Sequence, residues 1–175
     1  MAENLNVSTY QNGDTIPQVC YSGWDELTTG AWCYYDNETQ NGNVYGKLYN
    51  WFAVHDPRGL APKGWHVPSD AEWTILTDTL GSGEGTKMKS TSGWNDHLGI
   101  SGNGDNNSGF AGLPGGFRRE FFYSFNGVGR SGSWWSSSEN NTSSAWYRNL
   151  GYNNGSVLRD YGFKRTGLAV RCLRD

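Results

Sequence analysis

His55, His66 and His97 are the chain's three imidazoles, and none has the helical ligand spacing of a His-Glu-x-x-His pair. His66 lies between Trp65 and Val67, where a packed, hydrogen-bonded ring is expected rather than a metal ligand. Ser136, Ser137 and Ser138 beside Glu139 place hydroxyls next to an acid. The Gly-x-Ser-x-Gly frame of a strained nucleophile is missing, so a polar turn is expected there instead. Cys20, Cys33 and Cys172 are too few and too scattered for a zinc site or a Cys-x-x-Cys redox pair. Their odd number allows one disulfide with a free thiol, or three buried thiols. No convergent nucleophile, base and oxyanion donor can be assembled, and the chain is not expected to be an enzyme.

Hard oxygen ligands offer a second kind of chemistry. Trp94-Asn95-Asp96 copies a triplet used by calcium-dependent lectins, but it falls well before the late strands where that triplet belongs. Asn103, Asp105 and Asn107 alternate like the start of an EF-hand loop, with Pro114 at the twelfth position where a Glu is required. They are the candidate calcium ligands, and no other cofactor is expected.

The third kind is recognition. Between Asn140 and Gly167 the chain mixes Tyr, Arg, Phe, Asn, Ser, Asp and Gly. Tyr and Arg among short polar residues make rigid contact area with adaptable hydrogen bonds. Tyr147, Asn149, Tyr152, Asp160, Tyr161, Phe163 and Arg165 are therefore the candidate ligand-contacting residues. The plainer alternative is a twisted hairpin held by aromatic cross-strand pairs, with half of these side chains buried by strand alternation.

These residues need elements to position them. Asp70–Leu80 is a helix: Ser69 is its N-cap, Glu72 completes a capping box, and Trp73, Leu76 and Leu80 make the buried stripe before Gly81. Tyr45, Leu48, Tyr49 and Phe52 recur at three- and four-residue spacing and predict a second main helix over Val44–Val54. Trp32 to Tyr35 reads as a strand, as do the runs 116–123, 132–136, 144–150, 155–161 and 167–173. Tyr152-Asn153-Asn154-Gly155 supplies a hairpin turn. Trp65, Trp73 and Trp135 are expected in the core. Two early helices before a strand-rich, loop-rich half with an antiparallel sheet define an α+β fold.

Composition narrows the function further. Nine Trp, ten Tyr and seven Phe beside 25 Gly, with 18% charged residues, describe a compact, loop-rich domain over residues 1–175 and not a disordered chain. A net charge of -3 with no basic block argues against nucleic acid, and no apolar run is long enough to insert in a membrane as a helix. No signal peptide follows Met1.

Met1-Ala-Glu-Asn-Leu, Tyr45-Gly-Lys-Leu-Tyr-Asn-Trp and the block from Leu60 through Gly64-Trp-His-Val-Pro-Ser-Asp-Ala-Glu-Trp73 form a recognisable series. It continues with Gly109-Phe-Ala-Gly-Leu-Pro-Gly-Gly-Phe-Arg118, Trp134-Trp-Ser-Ser-Ser-Glu, Ala145-Trp-Tyr-Arg and Val170-Arg-Cys-Leu-Arg-Asp. In this order they resemble the Fibrobacter succinogenes major paralogous domain family across nearly the whole chain. That family is similar to the C-type-lectin-like fold of formylglycine-generating enzymes and of the variable receptor-binding proteins of diversity-generating retroelements. The resemblance implies an extracellular recognition module on a bacterial cell surface or phage tail fibre, excised from or terminal in a longer protein that could be oligomeric. Its partner would be a host or environmental surface glycan or protein, met through the late hairpin. A structural scaffold packing on neighbouring domains is the alternative. An enzyme derived from the formylglycine-generating fold is a weaker one, since that chemistry needs a cysteine pair holding copper and Cys172 is alone in the second half. Because the chain ends meet in one sheet of that fold, the resemblance also implies that Cys33 and Cys172 lie close, in reach of a disulfide that is one of the two open alternatives, with Cys20 apart.

Overall fold

The computed structural model describes residues 1–121 and 124–175. The elements in chain order are β1 (Trp32–Cys33), α1 (Thr39–Tyr45), β2 (Leu48–Tyr49), α2 (Trp51–Val54), β3 (Trp65–His66), α3 (Asp70–Leu80) and α4 (Glu84–Met88). They continue with β4 (Gly115–Arg118), β5 (Phe125–Val128), β6 (Ser131–Glu139), β7 (Ser144–Gly151), β8 (Val157–Phe163) and β9 (Leu173–Arg174). The fold is mixed α+β, with few helices and a mainly antiparallel sheet.

That sheet has five strands in the order β5-β4-β6-β7-β8, with β4 and β6 parallel and the other neighbours antiparallel. Consecutive residues of a strand point to opposite faces. Trp134 and Trp135 in the central strand therefore enter different clusters. Trp134 joins Trp73, Met88, Trp94 and Leu150 under α3 and α4, whereas Trp135 joins Tyr49, Trp51, Leu168 and Val170. A third cluster holds Trp24, Cys33, Tyr35 and Leu48. Trp73 and Trp135 are core residues as expected, but Trp65 is only partly buried.

Residues 166–172 bind the layers together. Leu168 exchanges backbone hydrogen bonds with Tyr49 at 2.8 and 3.0 Å, Gly167 with Arg118 at 2.9 Å each way, and Ala169 receives from Trp135 N–H at 3.1 Å. The N-terminal residues lie alongside: Leu5 N–H donates to Val170 at 2.8 Å and the Met1 ammonium to the Cys172 carbonyl at 2.8 Å.

The α3 helix has the predicted bounds and capping box, with Ser69 and Glu72 bonded reciprocally and Gly81 ending it at φ 64°. The second predicted helix is not one element. Gly46, at φ 75°, ends α1; Leu48 and Tyr49 pair with Cys33 and Trp32; Asn50 then caps α2 by accepting from Ala53 N–H. Leu48 and Tyr49 are buried on opposite sides of a short strand, in different clusters, so their spacing imitated a helical stripe. The expected strand over 32–35 stops at Cys33, because Asp36 takes φ 51° within a 3-10 turn from Tyr35 to Asn37. The run 116–123 is a strand as far as Arg118, and Tyr123 lies outside the described residues. The run 167–173 forms single bridges at Gly167, Leu168 and Ala169 before β9.

Candidate functional groove

The β7–β8 hairpin is paired from Ser144↔Phe163 to Leu150↔Val157. Cross-strand partners share a face. Trp134, Arg148 and Arg159 thus line up on the side covered by α3, while Ser133, Asn149 and Leu158 line up on the other. On the covered side Arg148 donates to Asp70 Oδ1 at 2.6 Å and Thr74 Oγ1 at 2.9 Å, and Arg159 donates to the same carboxylate. Arg159 also lies 3.5 Å over the Trp146 ring, which meets the Tyr161 ring at 5.7 Å, edge to face.

The other side of the hairpin is open. A groove of about 390 Å³ is bordered by Phe117, Tyr147, Asn149, Leu158, Tyr161 and Phe163, with Glu120, Ser133 and Thr166 at polar positions, although the Tyr161 ring itself packs on Trp146 on the covered side. Tyr147 packs edge-on against Trp135 at 6.0 Å, and its hydroxyl reaches Asp160 Oδ2 at 3.4 Å. Burial, together with that carboxylate, pushes the phenol up to about 12, so it is a neutral hydrogen-bonding group at physiological pH. Asn149 is oriented by donating to Ser131 Oγ at 2.6 Å and Ser133 Oγ at 2.9 Å. Glu120 accepts from Thr166 Oγ1 at 3.2 Å. Leu158, Tyr161 and Phe163 are each about half exposed, at 53%, 55% and 51%. Such a surface can stack on a flat or apolar ligand face and fix polar groups around it.

Of the seven predicted contact residues, Tyr147, Asn149, Tyr161 and Phe163 line this groove, and Asp160 braces Tyr147 from its rim. The other two are elsewhere. Tyr152, beyond the end of β7, meets His97 at 5.3 Å and lines a separate depression with Lys89, Ile100 and Asn154. Arg165 lines an adjoining hollow that shares Glu120 and Phe163 with the groove, and its Nε donates to the Leu27 carbonyl at 2.9 Å.

The candidate calcium ligands Asn103, Asp105 and Asn107 make local hydrogen bonds. Asn103 Oδ1 accepts from Trp94 N–H at 3.0 Å, and the Asp105 carboxylate accepts from Asn107 N–H at 3.0 Å and Asn107 Nδ2 at 2.8 Å. The serine run is a β6 irregularity: Ser136 Oγ donates to the Trp146 carbonyl, Ser138 Oγ accepts from Asp70 N–H, and Glu139 pairs with Lys164. The three histidines lie apart, His55 stacked on Trp51, His66 between Glu72 and Asp175, and His97 on Tyr152.

The Cys33–Cys172 bridge is not formed, and all three cysteines are free thiols. The chain ends do meet, but Cys33 pairs with Leu48 in the Trp24 cluster, whereas Cys172 packs in the Tyr49 cluster.

Phe117, Glu120, Ser133, Leu158 and Thr166 belong to the groove and were not predicted. Ser133 was recoverable, since it sits two residues before Trp135 in an alternating strand. Phe117, Glu120 and Thr166 carry no such signal, because strand pairing over long separations brings them in.

The Fibrobacter succinogenes major domain is matched over residues 1–174, and the chain belongs to that family. No curated protein and no solved structure matches it. Among the described residues no helix is long and apolar enough to cross a membrane.

Proposed function

We propose that this domain is a ligand-recognition module that uses the β7–β8 groove as its contact site. It would be built on a C-type-lectin-like scaffold and displayed outside the cell, on a bacterial surface protein or a phage tail fibre. The observation that carries this reading is the half exposure of Leu158 and Phe163 at one concavity, with Tyr161 half exposed on the opposite face of the same strand, in a chain that buries most of its other large apolar residues. Apolar side chains gathered at a concave surface need a reason that folding does not supply. Tyr and Phe rings stack on the C–H faces of a sugar as readily as on a protein side chain, and Asn149, Ser133 and Glu120 supply hydrogen-bonding partners.

Paired measurements of folding and binding test the proposal. Tyr161→Ala and Phe163→Ala should each weaken attachment to cells or arrayed glycans by about 1–3 kcal/mol, with melting little changed. Trp135→Ala should instead lower stability by about 3–5 kcal/mol. Repeating the binding with a chelator tests for calcium dependence. Hairpin variants that melt early yet bind normally per folded molecule would replace recognition with a scaffold role.

A further inference from the structure

The groove's own lining is one-sided in charge, while Lys164 and Arg165 line the adjoining hollow that shares Glu120. The groove lining includes Glu120 and no Lys or Arg, and Asp160 adds a second carboxylate at the rim through Tyr147. The nearby cations are directed elsewhere. Arg118 is buried and donates to the carbonyls of Val19, Cys20 and Tyr21. Arg148 is held by Asp70 and Lys164 by Glu139 and the Thr142 carbonyl, while Arg165 reaches the Leu27 carbonyl. Arg119 is exposed and does not line the groove. What remains is a concavity bordered by Phe117, Tyr147 and Phe163 with the Glu120 carboxylate in its lining, while the Tyr161 ring turns to Trp146 on the covered side.

Aromatic faces carry negative potential, so several rings around a carboxylate favour a cation over a neutral group of the same shape. A bulky, weakly hydrated alkylammonium loses little solvation on entering such a site and gains from both the rings and the charge. We infer that the groove selects an organic cation, an ammonium or quaternary ammonium group borne by the ligand. This rests on the recognition reading above and narrows it to one ligand chemistry.

The probes are choline and its uncharged isostere 3,3-dimethylbutan-1-ol, with glucosamine against glucose as a sugar-borne pair, titrated calorimetrically into the whole domain. Choline should bind about tenfold or more tightly than the isostere, and a preference for glucosamine over choline would place the cation on a sugar. Glu120→Gln should remove that advantage without changing the melting temperature or the isostere's affinity. Phe163→Leu, which keeps the apolar bulk, should weaken choline and spare the isostere. Equal binding of charged and neutral partners, no binding of any cation at millimolar concentration, or an unaltered Glu120→Gln variant would overturn the inference. Attachment to cells or glycans that needs Tyr161 and Phe163 but is not displaced by tetramethylammonium would sink the cation reading while leaving recognition intact. Loss of neither kind of binding in the hairpin variants would remove both.

Discussion

Asp70 opens α3 and holds Arg148 of the neighbouring sheet at 2.6 Å, across 78 residues of sequence. The Arg148 side chain is only 3% exposed, so its charge depends on this carboxylate. Asp70→Ala would leave a buried guanidinium unpaired. The expected loss of stability is toward the lower end of about 3–5 kcal/mol, because Thr74 Oγ1 and the Asp70 carbonyl still accept from Arg148. Arg159→Ala removes a half-exposed partner of the same carboxylate and should cost less than about 1 kcal/mol. Urea unfolding of the two variants checks the contrast.

His66 lies between Asp175, 2.7 Å from Nδ1, and Glu72, 2.9 Å from Nε2. Hydrogen bonds that the protonated ring donates to these carboxylates, Asp175 first, raise its pKa above the ordinary value of about 6.5. A group whose pKa is raised by folding adds stability below its unfolded pKa, and that contribution is lost as pH rises through the folded value. Melting temperature should therefore decline in a window beginning near neutral pH. In His66→Gln that decline should be absent, which thermal scans across the window will show.

Burial pushes the thiol of Cys33 up to about 12 and that of Cys172 to about 11. Neither presents a reactive thiolate in the folded state. The native protein should react with a thiol reagent at Cys20 alone, which is partly exposed, and at all three only after denaturation. Reductant should leave the melting temperature unchanged. Mass spectrometry of the labelled protein reads the first outcome, and early labelling of Cys33 or Cys172 would contradict the packing described.

Gly116, at the parallel β4–β6 contact, has φ 65°, and an added Cβ would lie 2.5 Å from the Asn126 carbonyl oxygen and 2.8 Å from Val128 N. Both obstacles are backbone and cannot rotate away. Gly116→Ala should cost about 2–5 kcal/mol, combining left-handed strain with overpacking. Gly13, at φ 92° with open space around it, isolates the first of those effects. Gly13→Ala should cost about 1–2 kcal/mol, and the difference between the two melting curves measures the clash.

How much of this was legible in the sequence depended on range. The α3 helix announces itself because Ser69, Glu72 and Gly81 act within a few residues of one another. The hairpin is equally local, and its aromatic and amide letters drew attention to Tyr147, Asn149, Tyr161 and Phe163, which border the groove. Leu48 and Tyr49 misled because burial on both faces of a strand produces the same adjacent apolar letters as a helix stripe. Cys33 misled for a related reason, since its partner strand is β2 and not the chain terminus. Glu120 and Thr166 meet across 46 residues, and nothing near either one records the meeting.

The segment 166–172 sets the order in which this molecule can come into being. Tyr49, Arg118, Trp135 and Leu5 all wait for backbone partners that are synthesised at the end of the described chain. Until that segment leaves the ribosome, β2 and the five-stranded sheet have no shared backbone seam. Folding dominated by such distant pairings is slow, on the order of milliseconds to seconds. The Tyr49 cluster in particular cannot be completed before Leu168, Val170 and Cys172 arrive.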